Sequence, residues 1–196
     1  MSAFDEIRRL RIQKLDTLKE KGKDPFPINS ARTHTLGAVV AEFDALSASA
    51  QTVVLAGRIM SLRPQGGLAF FTLDDGTGRF QGLIKTGEIA EDEFTLFINT
   101  TDVGDFVEIT GTLFVTARGE KTIKVLGWNM LAKSLRPLPE KWSGLQDPDE
   151  RFRRRYLDTL MSPEVKARFL LRSNIITAIR TFLNNEEYLE DFYDEY

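Results

Sequence analysis

Several stretches of the chain alternate apolar and polar residues, and the polar phase exposes a small set of side chains with a common use. In residues 68–74, Ala69, Phe71 and Leu73 form a wholly apolar set, which turns Phe70, Thr72 and Asp74 to the opposite side. In 79–85 the apolar set is Phe80, Gly82 and Ile84, so Arg79, Gln81 and Lys85 oppose it. In 51–62, Val53, Leu55, Gly57 and Ile59 turn Arg58 outward. In 121–132, Ile123 and Val125 face in, which puts Thr122 and Lys124, with Glu120 just ahead of them, at or near the wet side. Arg58, Phe70 and Gln81 therefore converge on one solvent face, with Glu120 at its edge. An exposed ring is a stacking platform for an unpaired base, worth about 1–3 kcal/mol. A Gln amide offers a donor and an acceptor to a base edge. An Arg engages phosphate or a carbonyl, and a carboxylate accepts from an imino or amino hydrogen. The same pattern also fits a Phe70 packed under a loop, because single exposed aromatics are common. Alternation fixes the face and not the ligand.

The elements that must hold these side chains follow from the same periodicity. Strands are expected over 51–62, 68–74, 79–85, 105–116 and 121–132, joined at Pro64-Gln-Gly-Gly67, Asp75-Gly-Thr-Gly78 and Arg118-Gly119. Between the third and fourth, residues 88–99 carry apolar side chains at helical spacing. Five strands with a helix in that place is the order of an oligonucleotide/oligosaccharide-binding barrel, the OB-fold. The expected class is mostly β with flanking helices. Ahead of the barrel, 2–21 reads as an amphipathic helix with Phe4, Ile7, Leu10, Leu15 and Leu18 on or near one side and Gly22 as its stop. Arg11, Lys14 and Lys21 cluster on one part of its surface, which reads as a solvated face on pattern alone. Asp24-Pro-Phe-Pro27 forces extended chain, 36–46 reads as a second helix, and the lone His34 reads as a turn or cap residue. After the barrel, Leu135-Arg-Pro-Leu-Pro139 is a stiff linker, and Ser162-Pro163 supplies the N-cap and first residue of a third helix. Its stripe of Val165, Phe169, Ile176, Ile179 and Leu183 needs a partner surface, and Asn184-Asn185 ends it. The chain is thus expected to divide at 1–50, 51–134, 135–161 and 162–196.

Composition narrows the function classes. Hydrophobic residues at 42% and charged residues at 28% supply a core and exclude long disorder. With no cysteine and one histidine, thiolate chemistry is absent and no metal site is expected. No apolar run approaches the roughly 20 residues of a membrane helix, and the N-terminus is charged and periodic, so a cytoplasmic chain without membrane association is expected. The net charge of -3 conceals a polarity: residues 184–196 carry six acidic and no basic side chains, leaving 26 basic against 23 acidic in the remainder. That is not the signature of a non-specific nucleic-acid binder. Any nucleic-acid contact must combine local basic elements, such as Arg151-Phe-Arg-Arg-Arg155, with specific base recognition.

On these residues the chain resembles the N-terminal part of bacterial-type class II lysyl-tRNA synthetases (lysine–tRNA ligases). The resemblance spans about 4–186. It is carried by Ala56-Gly-Arg58, Thr72-Leu-Asp-Asp-Gly-Thr-Gly-Arg-Phe-Gln81, Leu135-Arg-Pro-Leu-Pro139, Gly144-Leu-Gln-Asp147 and, most specifically, the passage through Arg151-Phe-Arg-Arg-Arg-Tyr-Leu-Asp158. The resemblance implies recognition of the U-rich anticodon of lysine tRNA. The family's stacking Phe falls on Phe70, its base-reading Gln on Gln81, its barrel Arg on Arg58 and its Glu on Glu120. Glu120 is the loosest match, because Arg118 stands where the family more usually has Thr before Gly119. It also draws Arg11, Lys14 and Lys21 toward tRNA phosphates. Uracil's pairing edge runs acceptor–donor–acceptor, which a Gln amide and a carboxylate together complement. The family's full-length enzyme makes lysyl-tRNA from lysine, ATP and tRNA and is a homodimer, its interface built on the element matching the third helix. ATP and Mg²⁺ are implied for that parent only. Here Glu187 replaces an expected Gly, and the Glu-Val-Glu-Thr-Pro-like strand is missing. The chain, read as truncated before the catalytic motifs, is expected to hold no catalytic residues and no cofactor and to be inert alone. The alternative is a stand-alone paralogue or fragment acting as an RNA-binding or oligomerising module without aminoacylation.

Overall fold

The computed structural model describes residues 3–139 and 144–188, so the acidic residues Glu190, Asp191, Asp194 and Glu195 of the tail lie outside the described residues. Two units make up the chain, Met1–Pro137 and Leu138–Tyr196.

The first unit is built on strands β1 (Val53–Gln65), β2 (Leu68–Asp74), β3 (Arg79–Lys85), β4 (Phe106–Val115) and β5 (Lys121–Ala132). They close into a barrel in the order β1-β2-β3-β5-β4. Every pairing is antiparallel except β3 with β5. β1 is long enough to serve two neighbours: Val53 to Arg58 pair with β4, and Arg58 to Gln65 pair with β2. A bulge between Ile59 and Ser61 lets the strand turn from one to the other. The helix expected between the third and fourth strands is α4 (Glu91–Thr100), with Glu91, Asp92 and Glu93 in its first turn, where the helix dipole favours anions. Strand order, closure and inserted helix make this the OB-fold foreseen from the sequence.

The inward alternates fill the barrel. Val53, Leu55, Ile59, Ala69, Phe71, Leu73, Ile84, Ile109 and Ile123 are all buried. Phe71 reaches across to Phe97 of α4, with ring centroids 5.5 Å apart, and Phe97 meets Trp128 edge-on at 5.1 Å. Gly82 is required opposite Phe71, its register partner: a Cβ there would lie 2.2 Å from the Phe71 ring. The helix expected over 36–46 is two short helices, α2 (Leu36–Ala41) and α3 (Phe43–Ala48), which break at Glu42 without a sequence signal for it. Both send apolar residues into the core, Leu36 and Val39 from one, Phe43 and Leu46 from the other. Thr35 caps α2, and His34 lies one residue ahead of it, its ring nitrogen 2.8 Å from the Thr33 hydroxyl. Asp75, in the β2–β3 turn, accepts from the Thr77 hydroxyl and from the N–H groups of Thr77, Gly78 and Leu36, tying that turn to the start of α2.

Helix α1 (Ala3–Glu20) corrects the expectation for the basic cluster. Arg11 is buried, and its guanidinium donates to the carbonyls of Val103 (3.0 Å), Ser134 (2.9 Å) and Arg136 (3.1 Å). Lys14 donates to Asp102 at 2.6 Å. At 100° per residue, Arg11, Lys14, Leu15 and Leu18 share an arc of about 100°. The positions read as a solvated basic face therefore belong to the side that packs on the barrel. Phe4, Ile7 and Leu10, assigned to the packed side, are exposed, and Lys21 is exposed as expected. A charged Arg tolerates burial there because its donors find carbonyl acceptors.

Below α1 lies a buried ionic cluster. The Lys133 ammonium donates to the Thr100 carbonyl (2.7 Å), Asp102 (2.5 Å) and Asp105 (2.7 Å). Burial pushes Asp102 up, but hydrogen bonds and charge from Lys133 and Lys14 outweigh it and hold its carboxyl below the ordinary range. Burial dominates at Asp105 and leaves it raised. Asp75 and Glu108 are also lowered, burial again being outweighed: at Asp75 by the Thr77 hydroxyl and backbone N–H groups, at Glu108 by Ser30, Asn129 and the Ala31 N–H. A carboxylate held low in the folded state gives stability that is present above its unfolded pKa and lost as pH falls through its folded one. The three lowered groups outnumber the raised Asp105, whose contribution runs the other way. The thermal midpoint is therefore expected to drop as pH is taken from about 5 to about 3. A midpoint level across that window in a calorimetric series would contradict the balance.

The second unit holds α5 (Pro148–Arg153), α6 (Arg155–Met161) and α7 (Pro163–Asn185). The first two were not foreseen. Asp147 caps α5, accepting from the Asp149 N–H at 2.9 Å. Buried Asp158 of α6 pairs with Arg151 of α5 at 3.1 Å, which ties the two helices together, and with Arg155 of its own helix at 3.5 Å. Helix α7 starts as expected, with Ser162 accepting from the Val165 N–H and Pro163 in the first turn. Val165 is buried, whereas Phe169, Ile175, Ile176, Ile179 and Phe182 are exposed. No helix of the described residues is long and apolar enough to cross a membrane.

Candidate nucleic-acid interface

Strand register arranges the outer face of the barrel in rows. Thr72 pairs with Ser61 and Gln81, and Gln81 with Thr122. The next row toward the β2 start holds Arg63, Phe70, Leu83 and Lys124. The next row the other way holds Arg58, Asp74 and Arg79. Side chains two residues apart on a strand are about 7 Å apart. Phe70, Gln81 and Arg58 therefore occupy three successive rows at roughly that spacing, on the same outer side, as the alternation required.

Each side chain has a distinct environment. Phe70 is half-buried at the surface, while its neighbour Phe71 is sealed in the core. The register puts Arg63 and Leu83 on either side of Phe70. Arg58 is half-buried, donates to the Gly104 carbonyl at 3.0 Å and lies 4.1 Å over the Phe106 ring. Burial lowers its pKa, and the opposite charges of Asp74 and Asp105 offset part of that effect. Its guanidinium is thereby fixed in direction, with only part of its donor set committed. Gln81 is half-buried, and its amide nitrogen donates to the Thr122 hydroxyl at 2.9 Å. Glu120 is exposed, in the turn where Gly119 takes a positive φ of 85°. The Thr116 N–H donates to the Glu120 carbonyl at 3.0 Å, and the Thr122 hydroxyl does the same at 3.0 Å. Gln81 and the Glu120 backbone are thus joined through one hydroxyl.

Two residues depart from the sequence reading. Thr122 lies on the outer side, as register requires, yet is fully buried there rather than wet. Arg63 joins Phe70's row, although strict alternation from Ile59 would turn it inward. The bulge at Met60 inverts the parity of β1, so Leu62 pairs with Phe71 inside and Arg63 with Phe70 outside. The signal was the apolar Leu62 out of phase with Ile59. Of the three helix cations, Arg11 is consumed by the fold and Lys14 is paired with Asp102, which leaves Lys21 as the exposed one. Among the described residues no group of three or more His, Cys, Asp or Glu is placed to hold a metal ion.

The face is shallow, carries a half-exposed ring beside a directed amide, and has Arg58, Arg63, Arg79 and Lys124 around it. Such a surface suits splayed, unpaired bases better than a duplex, whose bases are stacked away from a flat sheet. Residues 53–131, almost the whole barrel, match the family of OB-fold nucleic acid binding domains named for the tRNA anticodon. Residues 147–191 match the class II tRNA synthetases of the D, K and N group. Over 188 residues, 95% of this chain, it is 45% identical to a lysine–tRNA ligase of Clostridium novyi (strain NT). It is 46% identical to one of Clostridium perfringens (strain SM101 / Type A) and 43% identical to one of Roseiflexus sp. (strain RS-1), each again over 95% of this chain. The chain spans 36% to 38% of the length of these relatives. The chain thus carries an OB-fold nucleic acid binding barrel followed by the start of a class II synthetase domain, and over 95% of its own length it is similar to these lysine–tRNA ligases.

Proposed function

We propose that the barrel recognises the anticodon loop of lysine tRNA, whose anticodon is U-rich, on the face carrying Phe70, Gln81, Arg58 and Glu120. The observation that carries this reading is the pair of rows holding Phe70 and Gln81: a half-exposed ring one step from an amide whose direction is fixed. Phe70 stacks an unpaired base, Gln81 addresses a uracil edge, the Glu120 carboxylate accepts from an imino or amino hydrogen of another base, and Arg58 meets phosphate or a carbonyl. Of the three basic residues considered at the N-terminus, Lys21, just past the end of α1, is the one proposed to meet phosphate, since Arg11 and Lys14 serve the barrel. In this reading the region serves a cytoplasmic ligase that makes lysyl-tRNA from lysine, ATP and tRNA, with ATP and Mg²⁺ bound by parts of the parent enzyme outside the residues described.

The test is titration of the chain with a hairpin carrying a lysine-type U-rich anticodon loop, beside one with the loop bases exchanged. Preference for the first hairpin is expected. Equal binding of both would favour the second reading, a module that binds single-stranded RNA without aminoacylating. The exposed α7 residues Phe169, Ile176 and Ile179 support self-association, as in the homodimer proposed for the parent. Sedimentation at several concentrations tests that, and a monomer throughout would remove it.

A further inference from the structure

We propose that Thr122 is a positioning residue that sets which base the barrel accepts, by fixing the amide of Gln81 with its oxygen outward. This inference rests on the reading of the outer face as an anticodon-loop site and deepens it.

A threonine hydroxyl has one proton to give and lone pairs to accept with. Thr122 Oγ1 lies 3.0 Å from the Glu120 carbonyl oxygen, a group that only accepts. The contact is attractive only if the hydroxyl proton points there. With its proton committed, Oγ1 must accept from its other neighbour, Gln81, 2.9 Å away. Of the two ends of the amide only the NH₂ can donate, so Nε2 is the end turned to Thr122 and Oε1 the end turned away. The orientation follows from the hydrogen-bond network rather than from the similar shapes of the two ends. The parallel register of β3 on β5 makes Gln81 and Thr122 direct partners, and the full burial of Thr122 removes water as a competing partner for its hydroxyl. The Thr116 N–H and the Thr122 hydroxyl together hold the Glu120 carbonyl, so the relay is anchored in the β4–β5 turn.

The consequence is chemical. An amide with Oε1 outward, and the second Nε2 hydrogen beside it, offers an acceptor next to a donor. Uracil answers with its ring N3–H and an adjacent carbonyl. Cytosine presents a bare ring nitrogen at the same position, and its lone pair would face Oε1. A flipped amide would reverse the preference. Thr122 touches no base, yet it determines whether uridine or cytidine is accepted.

The experiment uses the 196-residue chain, an RNA hairpin with a U-rich anticodon loop, and a set of hairpins in which each loop uridine is replaced in turn by cytidine. Thr122→Val keeps the shape and removes the hydroxyl, and Thr122→Ser keeps the hydroxyl. At the position Gln81 reads, the uridine-over-cytidine preference should fall about tenfold in Thr122→Val, through weaker uridine binding and stronger cytidine binding, and return to within about twofold of the parent in Thr122→Ser. If Thr122→Val does not fold, as judged by circular dichroism, Thr122→Ala makes the same comparison. A parent that prefers uridine and a hydroxyl-free variant that keeps the full preference would overturn the role of Thr122. A parent with no preference would instead sink the underlying anticodon reading. A merely structural Thr122 would weaken the uridine and cytidine hairpins alike and leave their ratio untouched.

Discussion

Substituting methionine for Lys133 should cost the first unit about 3–5 kcal/mol. The Lys133 side chain is fully buried, and so is that of Asp105, 2.7 Å from its ammonium. Removing the ammonium leaves the Asp105 carboxylate sealed from water with only the Asp102 and Ser134 N–H groups as donors. It also strips the Thr100 carbonyl of its partner and leaves Asp102 to Lys14 and the more distant Arg11. The cost is that of an orphaned charge rather than the net worth of the pair. A second substitution tells these apart: adding Asp105→Asn to Lys133→Met should recover part of the loss, a coupling that a double-mutant cycle in urea measures. A loss below about 1 kcal/mol for the single variant would show that the ammonium is not what holds the cluster.

Adjacent phenylalanines should give opposite phenotypes. Phe70→Ala is expected to weaken binding of the U-rich hairpin by about 1–3 kcal/mol, roughly five- to 150-fold, with the thermal midpoint nearly unchanged. Its ring lies on the outer side and is only half-buried. Phe71→Ala is expected to destabilise the barrel by about 3–5 kcal/mol, because that ring fills the space over Gly82 and packs on Phe97. Hairpin titration and thermal melting of the two variants side by side separate recognition from folding. Parent-like RNA affinity in Phe70→Ala would remove the stacking role.

Much of this division was legible before any coordinates. Period-two alternation put Phe71 in the core and Phe70 outside because a strand offers only two sides, and Ala69 and Leu73 settle which is which. The barrel was legible because five strands and one helix in that order close in few ways. What escaped depended on tertiary partners. Arg11 looked like a surface cation because helical periodicity does not reveal carbonyls contributed by residues 103, 134 and 136, far along the chain. Arg63 escaped because a single bulge reverses the phase of everything after it. Thr122 read as wet because alternation assigns a side but not the depth of cover on it. Helices α5 and α6 escaped because each is shorter than two full turns and holds together through Asp158 rather than through an apolar stripe.

The parallel ladder between β3 and β5 is the shortest in the barrel, with only three paired positions, and Gln81 and Thr122 form one of them. Its two strands are some forty residues apart along the polypeptide, with β4 and α4 between them. The β1–β3 meander carries Phe70 and Gln81, but the hydroxyl that orients the amide comes only with β5. On the proposed reading, base discrimination therefore waits for the strand that closes the barrel, and a barrel still open at that seam would hold the stacking ring without the means to tell one pyrimidine from another.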